Sequence, residues 1–184
     1  SSAESGGAIN NNAGTLTIQS STITGNTASA FHVGGIATYS GTVTINESTI
    51  SQNSALYYGG GIRLDNGSLT VTNSTIEGNT ADFDGAAIEM RNDAFLTVAN
   101  STISGNSTDD RGGGLRVGDG VYGNTATFLN TTIAGNTAAS SGGGISIDDS
   151  VAQDITLSNS IVAGNEAGAP ASPSDITGGS LNLI

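Results

Sequence analysis

Cysteine and lysine are both absent from this 184-residue chain. Without cysteine there is no disulfide framework and no thiolate metal site, a usage shared with many exported bacterial proteins. Without lysine the cations are four arginines, Arg63, Arg91, Arg111 and Arg116, set against 16 carboxylates for a net charge of −12. Such a polyanion repels nucleic-acid phosphates and anionic lipid, which removes both as main partners. No apolar run approaches the ~20 residues that cross a bilayer, so membrane insertion by this segment is not expected. The chain does not begin with methionine and shows no signal peptide. It reads as a mature product or an excised fragment, a single domain over residues 1–184. Aromatics make up 4% of it and charged residues 11%, while glycine alone contributes 28 residues. Bias of this kind accompanies disorder, but a disordered chain has no reason to keep apolar residues in register.

Register is what the chain does have. The stretch LTVTNSTIEGN (Leu69–Asn79) recurs as LTIQSSTITGN from Leu16, VTINESTISQN from Val43, LTVANSTISGN from Leu96, ATFLNTTIAGN from Ala126 and ITLSNSIVAGN from Ile155. The closing asparagines are 27, 26, 27, 30 and 29 residues apart, a period that marks a repeat architecture. Each copy follows a glycine-rich step such as GGGI (Gly59–Ile62), a short alternating strand and a turn such as Asp65-Asn66-Gly67, whose residue types favour turns. Leu69 and Val71 alternate with Thr70, the period of a strand with one buried face. No segment shows a 3.6-residue period.

Three short strands per roughly 27 residues predict one coil of a parallel β-helix, with coils stacked ~4.8 Å apart. The expectation is all-β, a solenoid of about six coils. Its inner ladders are Leu16, Val43, Leu69, Leu96, Ala126 and Ile155; then Ile18, Ile45, Val71, Val98, Phe128 and Leu157; then Ile23, Ile50, Ile76, Ile103, Ile133 and Val162. The narrow aliphatic core leaves little room for aromatics. Asn26, Asn53, Asn79, Asn106, Asn136 and Asn165 form an asparagine ladder that bonds one coil to the next and satisfies turn backbone. The glycines mark corners where a Cβ would clash.

The paired motif GG-[A/G]-[I/L] and I-x-x-N resembles the repeat of bacterial polymorphic outer-membrane proteins, with Ile or Val here in the place of their usual Phe. The run from Asn159 to Ile184 is similar to the end of the β-helix in large exported proteins that carry an anchor further on. The resemblance covers nearly the whole chain. It implies a right-handed β-helix, located extracellularly or on a bacterial cell surface, in a structural or adhesive role. It transfers no catalytic residue.

Chemistry is expected in the variable loop after each Asn. Phe31 and His32, Tyr57 and Tyr58, Asp82, Phe83 and Asp84, and Asp109, Asp110 and Arg111 fall side by side there. This strip holds four of the eight Phe and Tyr residues and the only His. Rings stack on the apolar face of a pyranose while acids bond its hydroxyls, so the strip suits a glycan; the same rings would serve equally to cover the core edge or touch a neighbouring domain. Asp84 and Asp109 would suit a glycosidase at a separation of ~5–9 Å. Arg111 is the only cation in the strip to offer as a lyase base.

A second candidate is the unbroken outward row Thr17, Thr44, Thr70, Thr97, Thr127 and Thr156. Beside it lie Thr15, Thr42, Ser68 and Thr125, with Phe95 and Asp154 interrupting. Flat threonine arrays resemble the ice-binding face of β-helical antifreeze proteins; ordinary strand propensity produces them too. A third is the acidic turn with Asp65, Asp93, Asp119, Asp148 and Asp149, whose oxygens suit calcium or simply a solvated edge, since the nonapeptide pattern of calcium-binding β-rolls is missing. Arg63, Glu89 and Arg116 read as a surface ion-pair ladder of little worth.

The order of readings is a structural or adhesive β-helix, then a glycan-binding module, then an ice-binding protein, and last a polysaccharide-degrading enzyme. No cofactor is expected beyond calcium at the turns. Partners are a glycan, a cell-surface or matrix component, or a second copy stacked end to end. A β-helix without caps exposes sheet edges, so the chain is either a fragment capped by further sequence or a subunit that stacks.

Overall fold

A computed structural model of the chain describes residues 7–29, 33–118, 123–148, 152–179 and 181–183, and within them every regular element is a β-strand. One coil shows how sequence becomes shape. Ile62–Asp65, Ser68–Thr72, Thr75–Glu77 and Thr80–Ala81 form its four strands. Each pairs in parallel with its equivalents one coil before and one coil after. Leu69 lies between Val43 and Leu96, and Ile76 between Ile50 and Ile103. Repetition yields four sheets of seven, seven, six and seven strands, here called the first to the fourth in chain order. Six full coils are followed by a partial seventh built from Ile176–Thr177 and Leu181–Leu183. The three expected strands per coil are present, and the count rises to four. The fourth, Thr80–Ala81 and its counterparts, is two residues long, too short for alternation to reveal it.

All three inner ladders hold their register. Val43, Ile45, Val71, Ile103 and Ile155 have no exposed surface, and each such side chain contributes ~1.5–3 kcal/mol by leaving water. One aromatic does enter this core. Phe128 is fully buried, and the small Ala126 precedes it by two residues on the same inward face, where the neighbouring coils carry Leu96 with Val98 and Ile155 with Leu157. The pair keeps the volume of the layer close to that of its neighbours, which is what a tightly packed interior tolerates.

Backbone pairing is interrupted at the corners, where side chains replace it. Asn53 donates its backbone N–H and its Nδ2 to Asn79 Oδ1, both at 3.0 Å, and Asn79 does the same to Asn106 at 2.9 Å. Nδ2 of each also reaches a carbonyl in the preceding coil, Ile23 for Asn53 and Ile50 for Asn79. From Asn53 to Asn165 these amides are fully buried. Their polar groups therefore need every one of these partners.

A second ladder, which the sequence reading missed, occupies the corner between the second and third sheets. The hydroxyls of Ser48, Ser74 and Ser101 each donate to the carbonyl two residues back. Each also accepts the N–H of its counterpart one coil earlier, Ser21, Ser48 and Ser74 respectively, at 3.0–3.1 Å. Thr131 and Ser160 continue the pattern. The signal was present as the Ser or Thr two residues before each inward Ile or Val.

Asp175 was missed as well. A Cβ added at Gly144 would come within 2.8 Å of the Asn165 amide, so the glycine there makes room for the ladder. Asp175 sits one coil further on, at the same step before an isoleucine. Its carboxylate does what the next amide oxygen does elsewhere in the column and accepts both the backbone N–H and the Nδ2 of Asn165, at 3.0 and 2.9 Å.

Candidate functional site

The loops after the fourth strand do not leave the stack. Phe83 N–H donates to Tyr57 O, Asp110 N–H to Phe83 O and Ser140 N–H to Asp110 O, so the variable residues remain in ladders. The chain then turns sharply at the first glycine of four of these steps. Gly59, Gly85, Gly112 and Gly142 have φ between +60° and +72°. A Cβ at Gly85 would lie 2.7 Å from Glu89 Cβ, and one at Gly112 would lie 2.6 Å from Leu115 O. Glycine is required twice over, by the left-handed backbone and by contact with the outward face of the first sheet.

That contact overturns the surface ion-pair ladder. Arg63, Glu89 and Arg116 are in register as expected, but the returning loops cover them. Glu89 is 1% and Arg116 2% exposed. Glu89 stands between Arg63 at 3.6 Å and Arg91 at 3.9 Å. Arg116 lies 3.7 Å from Asp84, bonds Asp148 at 3.1 Å and donates to Val117 O at 2.7 Å. Arg111 grips Asp84 through two bonds, Nε to Oδ1 at 3.1 Å and Nη2 to Oδ2 at 2.8 Å. All four cations of the chain thus gather on one flank. Truncating a partner in a buried pair leaves the other charge uncompensated, a cost of about 3–5 kcal/mol.

Titration follows this crowding. Burial pushes the Asp84 carboxyl above the usual carboxylate range, and Arg111 and Arg116 offset only part of it. Burial also raises the Tyr39 phenol, against the pull of Arg63. For Arg63 itself burial acts downward, yet Glu89, Tyr39 and Asp65 outweigh it and hold the guanidinium above its ordinary value.

Above the ion pairs lies an aromatic shelf. The rings of Tyr57 and Phe83 stack with centroids 5.1 Å apart and planes 6° from parallel. Tyr58 tilts against both at 6.1 Å. The guanidiniums of Arg63 and Arg91 stand 5.5 and 5.6 Å from the Tyr58 ring centre, and Arg63 lies 5.8 Å from that of Tyr39. Each such contact is worth ~0.5–2 kcal/mol. Phe83 remains 44% exposed, and Leu56, which precedes Tyr57, 42%.

The expected strip is therefore assembled in part. Tyr57, Tyr58, Phe83, Asp84 and Arg111 come together; Asp82 and Asp109 are exposed beside them and Asp110 is half-buried. Phe31 and His32 lie outside the described residues. Of the two carboxylates offered as a glycosidase pair, Asp109 is exposed and Asp84 is buried. Asp84 is 2% exposed, with both oxygens bonded to Arg111. The same bonds engage Arg111, the residue offered as a base. Tyr39 and Leu56, which no motif had marked, adjoin the cluster.

The other candidates are placed simply. Thr17, Thr44, Thr70, Thr97, Thr127 and Thr156 form one column of the second sheet, and Thr15, Thr42, Ser68, Phe95, Thr125 and Asp154 another. At the acidic turn, Asp65 accepts from Arg63 and Asn92, and Asp148 from Arg116. Asp93 is exposed, and Asp119 and Asp149 lie outside the described residues. Among the described residues no three His, Asp or Glu side chains group as metal ligands.

With a four-sheet parallel solenoid established, the comparison with protein families decides the classification. The family described as "Right handed beta helix region" matches residues 7–178. This chain belongs to that family. The right-handed β-helix match spans the aromatic shelf, the ion-pair flank and both corner ladders alike, so all of them are parts of one family domain. No curated protein and no solved structure matches the chain. The family fixes the fold and its hand, and the function has to be argued from the site.

Proposed function

We propose that this β-helix is an extracellular or cell-surface scaffold of the structural and adhesive kind, which binds a carbohydrate through the aromatic shelf. The observation that carries this reading is the stacked Tyr57–Phe83 pair, with Phe83 44% exposed. Phe83 and the 42%-exposed Leu56 form an apolar patch on hydrogen-bonded loops, and exposed apolar patches mark interaction sites. Rings with a few convergent polar groups suit a ligand that is itself apolar on its faces and hydroxylated at its edges. Asp82 and Asp109 supply acceptors at the rim. No general acid and base pair is offered, because Asp84 and Arg111 satisfy each other, and binding without turnover is the reading we adopt.

A glycan array probed with the full chain tests this. Binding should appear and should fall at least tenfold, about 1.4 kcal/mol, in Tyr57→Ala and Phe83→Ala, with circular dichroism unchanged. An array with no hit, or hits indifferent to both substitutions, ends the proposal.

The threonine columns support a second reading, ice binding, through one specific observation: the six-threonine column is unbroken in Cα register. Thermal hysteresis at millimolar protein decides it, and unshaped ice crystals discard it.

A further inference from the structure

Beyond the shelf, the fourth sheet carries a groove on its outward face. It has a volume of about 210 Å³, and its lining includes Ser107, Asp109, Thr137, Glu166, Gly168 and Ala171. Ser107, Thr137 and Glu166 form one column across three coils. Thr137 Oγ1 donates to Ser107 Oγ at 2.9 Å, which leaves the Ser107 hydroxyl hydrogen for another acceptor. Asp109 belongs to the neighbouring column, fixed by the bonds Asp109 N–H to Ala81 O and Asp82 N–H to Ala55 O. That column runs through Asp82 to Leu56, and the shelf begins one residue further along each loop. Shelf and groove are thus continuous along the helix axis. From the coil of Tyr57 to the coil of Glu166 there are four coil steps, ~19 Å at ~4.8 Å each.

We propose that shelf and groove are two ends of one site for a linear, uncharged oligosaccharide lying along the axis, one sugar to each coil. This rests on the carbohydrate reading above. The chemistry changes along the path as such a ligand requires. Rings hold the face of the first sugars, and hydroxyls and carboxylates of the groove bond the edges of the later ones. The spacing suits a chain, because a pyranose unit in an extended polymer is close in length to one coil step. Charge selects the class. Asp82, Asp109 and Glu166 are exposed along the path, and the four arginines are engaged on the flank of the first sheet. A uronate or sulfated glycan would meet the like charge of these three carboxylates.

The test is calorimetric titration of the full chain with β-1,4-linked glucose oligomers of two to six units, and with oligogalacturonates as the charged counterpart. Affinity should rise with length to five units, one for each coil from that of Tyr57 to that of Glu166, and then level, and the galacturonates should not bind. Glu166→Gln and the double variant Ser107→Ala with Thr137→Ala alter exposed positions that leave the fold intact. They should remove at least fivefold of the gain of the pentamer over the dimer and leave dimer binding unchanged. Phe83→Ala should weaken every length. Equal affinity at all lengths, with Phe83→Ala still weakening them, overturns the groove and leaves the shelf standing. Tighter binding of the galacturonates overturns the charge argument and the proposal with it. No binding of either series also overturns the proposal, and the array result then judges the shelf separately.

Discussion

The corner between the third and fourth sheets and the flank of the first sheet are built from the same repeat, yet they obey different rules. At the corner every coil does the same thing, Asn over Asn, because each amide is the partner of the next. On the flank no two coils agree. Tyr58, Asp84, Arg111 and Ser141 occupy equivalent loop positions, and Arg63, Glu89, Arg116 and Ser146 lie beneath them. The corner is constrained by stacking on itself. The flank is constrained only by the loop that covers it, so chemistry can vary there from coil to coil.

Breaking the corner should have the largest effect. Asn106→Ala removes the acceptor for two N–H groups of Asn79 and the donor to Ile76 O and Asn136 Oδ1. At ~1–3 kcal/mol for each buried group left unpaired, a loss of about 3–5 kcal/mol is expected in urea denaturation. Gly112→Ala strikes the hinge between corner and flank. It places a Cβ against Leu115 O and Arg116 at φ +72°, and should cost about 2–3 kcal/mol by the same measurement.

A smaller effect sharpens the flank. Because burial holds the Asp84 carboxyl above its unfolded value, folding favours its protonated form. That contribution is complete below the unfolded carboxylate range and is lost as pH rises through the higher folded value. Wild type should therefore gain stability relative to Asp84→Asn as pH is lowered from neutrality, and equal slopes would contradict the assignment. Smallest of all, Thr97→Ala on the exposed second sheet should lie within ~0.5 kcal/mol of wild type. A larger loss would mean that the threonine column is structural.

The sequence displays what repeats. Leu69, Val71, Ile76 and Asn79 are legible as inward positions because six copies carry apolar residues or Asn at them. The fourth strand was hidden because two residues cannot show alternation, and the serine ladder because Ser also suits a turn. The flank was misjudged for a different reason. Alternation correctly turned Glu89 and Arg116 away from the core, but it says nothing of a loop folding back over them. The sign that it would was Gly85 and Gly112, whose backbone angles serve that return. Within the loop strip, the closeness of Tyr57 to Phe83 followed from register, whereas the inward turn of Asp84 depended on Arg116 beneath it.

The asparagine column has a polarity that its hydrogen bonds impose. From Asn53 on, each amide oxygen accepts from the coil before it, and one N–H of each amide NH₂ is given to the acceptor in the coil after it, so the amide dipoles share one direction along the axis. The arrangement is a side-chain counterpart of the aligned peptide dipoles of a helix, whose positive end favours an anion. Asp175 stands at the positive end of this column, with a carboxylate oxygen accepting both N–H groups of Asn165. A carboxylate takes those bonds and offers no donor onward. One residue, placed where the other coils carry glycine or alanine, thus faces the positive end of the column and ends the direction of the chain of amides.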